Sequence, residues 1–522
     1  MENTFFVHFR PDDVSVIVSA GTTIAAAAKR AGVFLDAPCG GNGTCKKCAV
    51  LLKTAGETKS VLACQTPVTT NCFVTIPSDS SLAALGEGAS RAISFAPYPE
   101  AKTNLDDACF AAFDLGTTTV VCYLLDAKTG EQLAVRGAQN PQSSFGADVI
   151  ARASHALDHG GEALRQCALD ALNNLLSSAC STANRKPEQV VLASVVGNTV
   201  MQHLLLGYPV ESLVRAPYVP FRGDLRILPA PELGLNAHES CMVLLPPVIG
   251  GFVGADTVGC LSATAFDTLE TPTLMIDIGT NGELALTDGK RIVSCSTAAG
   301  PAFEGANISR GMRASSGAIE HVWLEHGVLA IKTIGDAPPL GICGSGLIEL
   351  AALLSGEDVI EEGGRLAKNG ILGGRVIADE TGMSAFVVTE HGADGKPILL
   401  TQKDVRELQL GKAAMRAGVE TLLDALSLDA SQIKKTFLAG AFGSHLSPSA
   451  LCGIGLLPKE LEARTESIGN AAGEGAKLYL RNFELFLQTE ELAKETGYIE
   501  LTLDKGFTDR YVDAMSFPRE EQ

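Results

Sequence analysis

The chain is 522 residues long, 46 % apolar and 19 % charged, which supports a sizeable buried core and excludes a disordered or fibrous protein. At roughly 150 residues per domain, the length predicts three or four domains. Asp and Glu outnumber Lys and Arg by 60 to 41, and the resulting charge of −19 argues against a surface for nucleic acid or anionic membrane, since phosphate-binding faces need excess Lys and Arg. The opening residues, MENTFFVHFRPDD, lack the basic-then-apolar layout of a secretory signal, so a cytoplasmic protein is expected.

Residues 4–9 and 14–20 are β-branched and aromatic runs split by Pro11, Asp12 and Asp13, which predicts a hairpin. The stretch 22–32 has a capping Thr, an alanine-rich body, basic residues in its last turn and a terminal Gly, the start and stop signals of a short helix. Strands are expected at 49–53 and 72–77, and residues 1–80 outline a β-grasp fold. Residues 81–108 are rich in Ser, Ala, Gly and Pro and read as a linker or a segment docked without strong structure. Beyond them strands and helices alternate as in an α/β protein, with helices expected at 163–180 and 405–426 from apolar three- and four-residue steps. The longest apolar run, 15 residues from Cys241, is broken by Pro246, Pro247, Gly250 and Gly251; a buried strand and loop fits it better than a membrane helix of roughly 20 residues.

Two stretches, FDLGTTTVVCYLLDAKTG (113–130) and IDIGTNGELALTDG (276–289), share one layout. Each runs apolar residue, Asp, apolar residue, Gly, Thr, two turn residues, then a second strand and a polar hairpin. Asp114 and Asp277 lie 163 residues apart, so the unit repeats at domain-sized spacing. That predicts two related lobes, 109–270 and 271–522, each presenting one turn to a shared cleft.

Cys39, Cys45 and Cys48 form C-x5-C-x2-C, and Cys64 follows after fifteen residues. Four thiolates can hold a [2Fe–2S] cluster, and plant-type ferredoxins show a similar C-x4-C-x2-C with a distant fourth cysteine. Gly40, Gly41 and Gly43 let the backbone wrap closely around such a cluster. A tetrahedral zinc site is the competing reading, but zinc ribbons pair two C-x2-C knuckles and this stretch has one. Cys72 opens an apolar strand and is a weaker fourth ligand. The block 1–80 resembles the [2Fe–2S] ferredoxin domain, and with seven basic against six acidic residues it carries almost none of the negative charge.

The paired D-x-G-T turns resemble the two phosphate loops of the ASKHA superfamily, which includes acetate and sugar kinases, Hsp70 and actin. The resemblance implies that Gly116, Thr117, Thr118, Gly279, Thr280 and Asn281 cradle the phosphates of ATP, and that Asp114 and Asp277 hold hydrated Mg²⁺. FLAGAFGSH (437–445) is similar to the adenosine motif, implicating Gly440, Ala441 and Gly443. In GICGSGL (341–347), Gly344 and Ser345 open a helix whose N–H groups could receive phosphate.

A ferredoxin-like domain fused to an ASKHA ATPase resembles the reductive activators of corrinoid proteins. Matching stretches run through the chain, among them NPQSSFGADVIAR (140–152), GNTVMQHLLLG (197–207), PPVIGGFVGADTVG (246–259) and STAAGPAFEGANISRGMRA (296–314). The resemblance implies an ATP-dependent one-electron transfer from the cluster to the Co(II) corrinoid of a partner methyl-transfer protein, fed by an external low-potential donor. It leaves room for a homodimer. Glu304, in GPAFEG, is a candidate for positioning water or a corrinoid-facing loop, with a salt bridge or cap as its plain alternative. Two other functions remain open: an ASKHA activator of a dehydratase or reductase, and an Hsp70-like metallochaperone that transfers no electron.

Overall fold

The computed structural model describes residues 4–519 except 11–13, 32, 34, 36–42, 44–47, 55–56, 77–90, 102–106, 306, 441–442 and 444–445. At the N-terminus, Thr4–Arg10 and Val14–Ser19 pair antiparallel, and Cys72–Thr75 joins the first of them in parallel. Ala49–Thr54 and Glu57–Leu62 complete a five-stranded β-grasp sheet. The helix Ile24–Arg30 starts where expected, with Thr23 accepting from Ala26 N at 3.2 Å, and buries Ile24, Ala27 and Ala28 on the sheet. Glu57–Leu62 was not foreseen. It is an edge strand whose first four residues, ETKS, are exposed, so it carries no apolar alternation.

Two six-stranded sheets form the body of the chain, and five consecutive strands of each follow one plan. In the first, Gln132–Gln139, Thr119–Asp126 and Cys109–Leu115 run antiparallel, then Val190–Gly197 and Met242–Leu245 add in parallel. In the second, Ile292–Thr297, Gly282–Thr287 and Thr273–Ile278 run antiparallel, then Lys435–Ala439 and Thr465–Gly469 add in parallel. The apolar run from Cys241 becomes the strand Met242–Leu245 and a loop leading to the helix Ala255–Ala263. Among the described residues no helix is long and apolar enough to cross a membrane.

Strand parity decides where the aspartates point. Cys109, Ala111, Phe113 and Leu115 face one core, while Phe110 and Ala112 face another that both sheets share. Likewise Leu274, Ile276 and Ile278 face the core of the second sheet alone, and Met275 faces the shared one. Asp114 and Asp277 fall on the parity of Ala112 and Met275, so each continues the shared face at its strand's end.

Two helices fill that shared core: Ala255–Ala263, and Ala471–Arg481 from the far end of the chain. They cross at a pair of glycines. A Cβ on Gly475 would lie 2.3 Å from Gly259 O, so no side chain fits between the backbones. Residues 91–101 strap across both helix ends, Arg91 N donating to Ala263 O at 3.1 Å and Ala96 N to Arg481 O at 2.7 Å. The Tyr98 ring packs on Phe483 with centroids 4.7 Å apart. Gly475→Ala is expected to destabilise the chain by about 1–3 kcal/mol by forcing the helices apart, measured as a lowered urea midpoint.

Candidate functional site

Each D-x-G-T turn is pinned by an asparagine or glutamate outside it. Asn140 Nδ2 donates to Gly116 O at 2.8 Å, and Asn198 Nδ2 donates to Thr117 Oγ1 at 2.8 Å. Asn198 also caps the helix Thr199–Leu206, accepting from Met201 N at 3.0 Å. The two turns then meet directly. Thr118 Oγ1 and Thr280 Oγ1 are 2.6 Å apart, and Glu304 Oε1 accepts from Thr280 at 2.9 Å and from Thr118 at 3.4 Å. Sequence matching had placed Asp114, Gly116, Thr117 and Thr118 on one unit and Asp277, Gly279, Thr280 and Asn281 on the other; the fold brings the hydroxyls of both into one hydrogen-bonded group with Glu304.

Behind the threonines lies a set of carboxylates. Burial raises Asp114 to about 6, a rise that the Asn470 amide opposes and the charge of Asp277 reinforces. Asp277 is likewise raised by burial to about 6, against the pull of a hydrogen bond from Cys260. Asp256, at the start of the helix Ala255–Ala263, rises to about 7: burial dominates, Thr257 N–H pulls it down, and the charges of Asp277 and Asp114 push it up. Glu283 is pushed well above the carboxylate range by burial and by Asp256 and Asp277, with the Asn281 side chain bonding to it. Carboxylates so raised form a place that needs positive charge. Among the described residues no group of three or more His, Cys, Asp or Glu is close enough to grip a metal ion by itself.

Glycine opens room beside these groups. Gly440 has φ +98°, and a Cβ there would lie 2.6 Å from Asp277 Oδ1, so only glycine brings this backbone against the aspartate. A Cβ on Gly279 would meet only Asn281 O, at 3.6 Å. Gly443 packs on Leu438, and Ala441 lies outside the described residues. Gly344 and Ser345 open the helix Gly344–Gly356, but Ser345 Oγ donates to Glu320 O at 3.0 Å, which commits it to the small sheet around Ala318–Glu325. Asp256, Glu283, Asn140, Asn198, Asn470 and Cys260 were not singled out from sequence. For the asparagines the available signal was a polar cap at a strand–helix junction.

Of the cluster cysteines, Cys39 and Cys45 lie outside the described residues. Cys48 is buried, Cys64 half-buried, and their sulfurs stand 3.2 Å apart without forming a disulfide. A tetrahedral metal with bonds of about 2.3 Å sets its sulfur ligands about 3.7 Å apart, so this pair faces a common point but must open by about half an ångström to take two corners of one metal. Gln65 Nε2 points at Cys64 Sγ from 3.7 Å, and a Cβ on Gly43 would meet Gln65 Cγ at 3.0 Å. Cys72 faces the core of the small sheet, where burial raises its thiol, as expected of a packing residue.

Family models match along the chain: a 2Fe-2S iron-sulfur cluster binding domain over residues 7–69, the RACo middle region over 110–269, and the C-terminal ASKHA domain of RACo over 271–522. The corrinoid activation enzyme RamQ of Eubacterium limosum is 32 % identical over 561 aligned positions, covering 92 % of this chain and 94 % of that protein. The chain belongs to the reductive activators of corrinoid proteins. A solved structure of a reductive activator for a corrinoid, iron-sulfur protein superposes with a TM-score of 0.75 at 28 % identity, covering 99 % of both chains. A reductase of the methylated amine-specific Co(II) corrinoid protein from Methanosarcina barkeri is 26 % identical, covering 66 % of this chain and 65 % of its own. The chain therefore joins a [2Fe–2S] ferredoxin-like domain to a nucleotide-binding ASKHA fold.

The raised carboxylates give this activator a pH signature. A carboxyl whose folded pKa lies above its unfolded value favours the fold when protonated, so its cost is full above the folded pKa and vanishes towards the unfolded one. Asp256→Asn, which keeps the acceptor for Thr257 N–H, should stabilise the nucleotide-free protein by roughly 1–3 kcal/mol at pH 8, with the gain fading between about pH 7 and 4 in denaturant titrations.

Proposed function

We propose that this protein is an ATP-dependent reductive activator that returns the Co(II) corrinoid of a partner methyl-transfer protein to Co(I). The contact of the two D-x-G-T turns through Thr118, Thr280 and Glu304 carries the ATP half of this reading, because it places phosphate-type loops of both halves around one point. Relatives named for corrinoid activation and corrinoid reduction support the choice of substrate. We divide the chain into a ferredoxin-like domain (1–80), a linker (81–108) and two ATPase lobes (109–270 and 271–522).

Cys39, Cys45, Cys48 and Cys64 would hold the [2Fe–2S] cluster, which supplies one electron at a time when reduced by an external low-potential donor. Asp114 and Asp277 would orient hydrated Mg²⁺ against the phosphates, with the carboxyls of Asp256 and Glu283 packed behind them. Thr117, Thr118, Thr280 and the turn glycines Gly116 and Gly279 offer hydroxyls and close backbone approach to phosphate oxygens. Gly440, Ala441 and Gly443 would lie along the adenosine, and the N–H groups at Gly344 and Ser345 would receive phosphate. Glu304, which accepts from Thr280 and Thr118, would exchange these partners for an attacking water or position a corrinoid-facing loop. ATP contributes by binding one arrangement of the two halves better than the other, about 1.4 kcal/mol for each factor of ten in affinity. That preference favours the complex in which cobalt accepts the electron, and hydrolysis then releases the partner.

Corrinoid reduction followed by absorbance tests the proposal. Asp277→Ala should abolish ATP-dependent Co(I) formation and keep a reducible cluster, whereas Cys64→Ala should keep nucleotide binding and lose the iron chromophore. Reactivation by Asp277→Ala at the unaltered rate with ATP would refute it.

A further inference from the structure

Each aspartate at the paired turns is held by a residue from the opposite half of the chain. Asn470 follows the strand Thr465–Gly469 and caps the helix Ala471–Arg481, accepting from Gly473 N at 2.9 Å through Oδ1. Its Nδ2 donates to Asp114 Oδ2 at 2.9 Å and to the Tyr123 hydroxyl at 3.0 Å, so the amide has donors and acceptor all in use while 4 % exposed. Asp114 lies 356 residues earlier in the sequence. In the reverse sense, Cys260 on the helix Ala255–Ala263 directs its thiol to Asp277 Oδ2 at 3.5 Å. These are the two helices that cross at Gly259 and Gly475, where backbone meets backbone. The anchors and the crossing therefore form one rigid piece.

We propose that Asn470 and Cys260 are reciprocal positioning residues: each ties down one carboxylate oxygen of the other half's aspartate, leaving the second oxygen turned to the nucleotide side. The inference rests on the reading of Asp114 and Asp277 as nucleotide-site carboxylates. A free aspartate samples a broad second side-chain torsion, and an anchored one does not. For Asp277 the remaining oxygen, Oδ1, is the one that Gly440 approaches. Anchoring by the opposite half means that both carboxylates are correctly aimed only when the two helices sit in their crossed register. The aim of the metal-orienting groups is thus tied to the relative placement of the two sheets.

The capping and anchoring bonds of Asn470 use different atoms and can be separated. Asn470→Asp and Asn470→Ser each keep an acceptor suited to the helix cap and remove the amide donor. Cys260→Ala removes its donor, and Cys260→Ser replaces it with a hydroxyl. ATP hydrolysis by the full, cluster-containing protein is measured against Mg²⁺ and ATP concentration, together with thermal unfolding. Both Asn470 variants should lower kcat about 10-fold or more and raise the Mg²⁺ concentration for half-maximal rate several-fold, with the half-saturating ATP concentration within about 3-fold of the parent, as expected for loss of an orienting hydrogen bond. Cys260→Ala should show a smaller shift in the same direction, and Cys260→Ser should restore it. Parental kcat and Mg²⁺ dependence in both Asn470 variants would overturn the inference. A parent protein that neither binds nor hydrolyses ATP would instead overturn the nucleotide reading beneath it.

Discussion

At the mouth of a core that both halves of this chain share, the hydroxyls of Thr118 and Thr280 meet 2.6 Å apart, with Glu304 closing the triangle. Each threonine sits at the end of a strand whose fully buried body belongs to a different sheet, so their meeting fixes how the sheets face each other. Directly behind them, Asp114, Asp256, Asp277 and Glu283 crowd into a space that raises all four above the ordinary carboxylate range. Bringing the halves together thus has an electrostatic cost, which on the proposed reading a hydrated cation with a phosphate chain would offset.

Behind that contact, residues 91–101 strap the two crossing helices together. The strap bonds to the C-terminal ends of both crossing helices, at Ala263 and Arg481, while the other end of each helix lies beside the carboxylates. A change in the helix crossing angle would be felt at both ends of that strap. The ferredoxin-like sheet precedes it in the chain and is close to neutral, whereas the ATPase body carries the negative charge of the whole. Charge thus distinguishes the ferredoxin-like part of the chain from the ASKHA part.

Much of this was legible in the sequence because the signals were local. Thr23 and the alanine run announce the first helix, the alternation in FDLGTTTVV and IDIGTNGEL announces the hairpins, and the repeated Asp–Gly–Thr spacing announces two like units. What stayed hidden was set by partners distant in the chain. Asn470 looks like an ordinary helix cap until folding brings it to Asp114, and Cys260 looks like one more small core residue until it meets Asp277. Asp256 lies in a glycine-rich apolar stretch where a single acid suggests a cap, and its importance comes from the charges packed against it. The exchange of helices across the shared core has no sequence signature, since the apolar residues of a helix do not say which sheet they pack on.

The central claim is that nucleotide bound between the two halves governs electron delivery to cobalt. The most direct measurement mixes the fully reduced, cluster-containing protein anaerobically with a Co(II) corrinoid protein and follows the Co(I) absorbance with and without Mg²⁺ and ATP. The account predicts Co(I) formation that depends on both additions and is matched by loss of one electron from the cluster. Equal Co(I) yield and rate in the absence of nucleotide would contradict it.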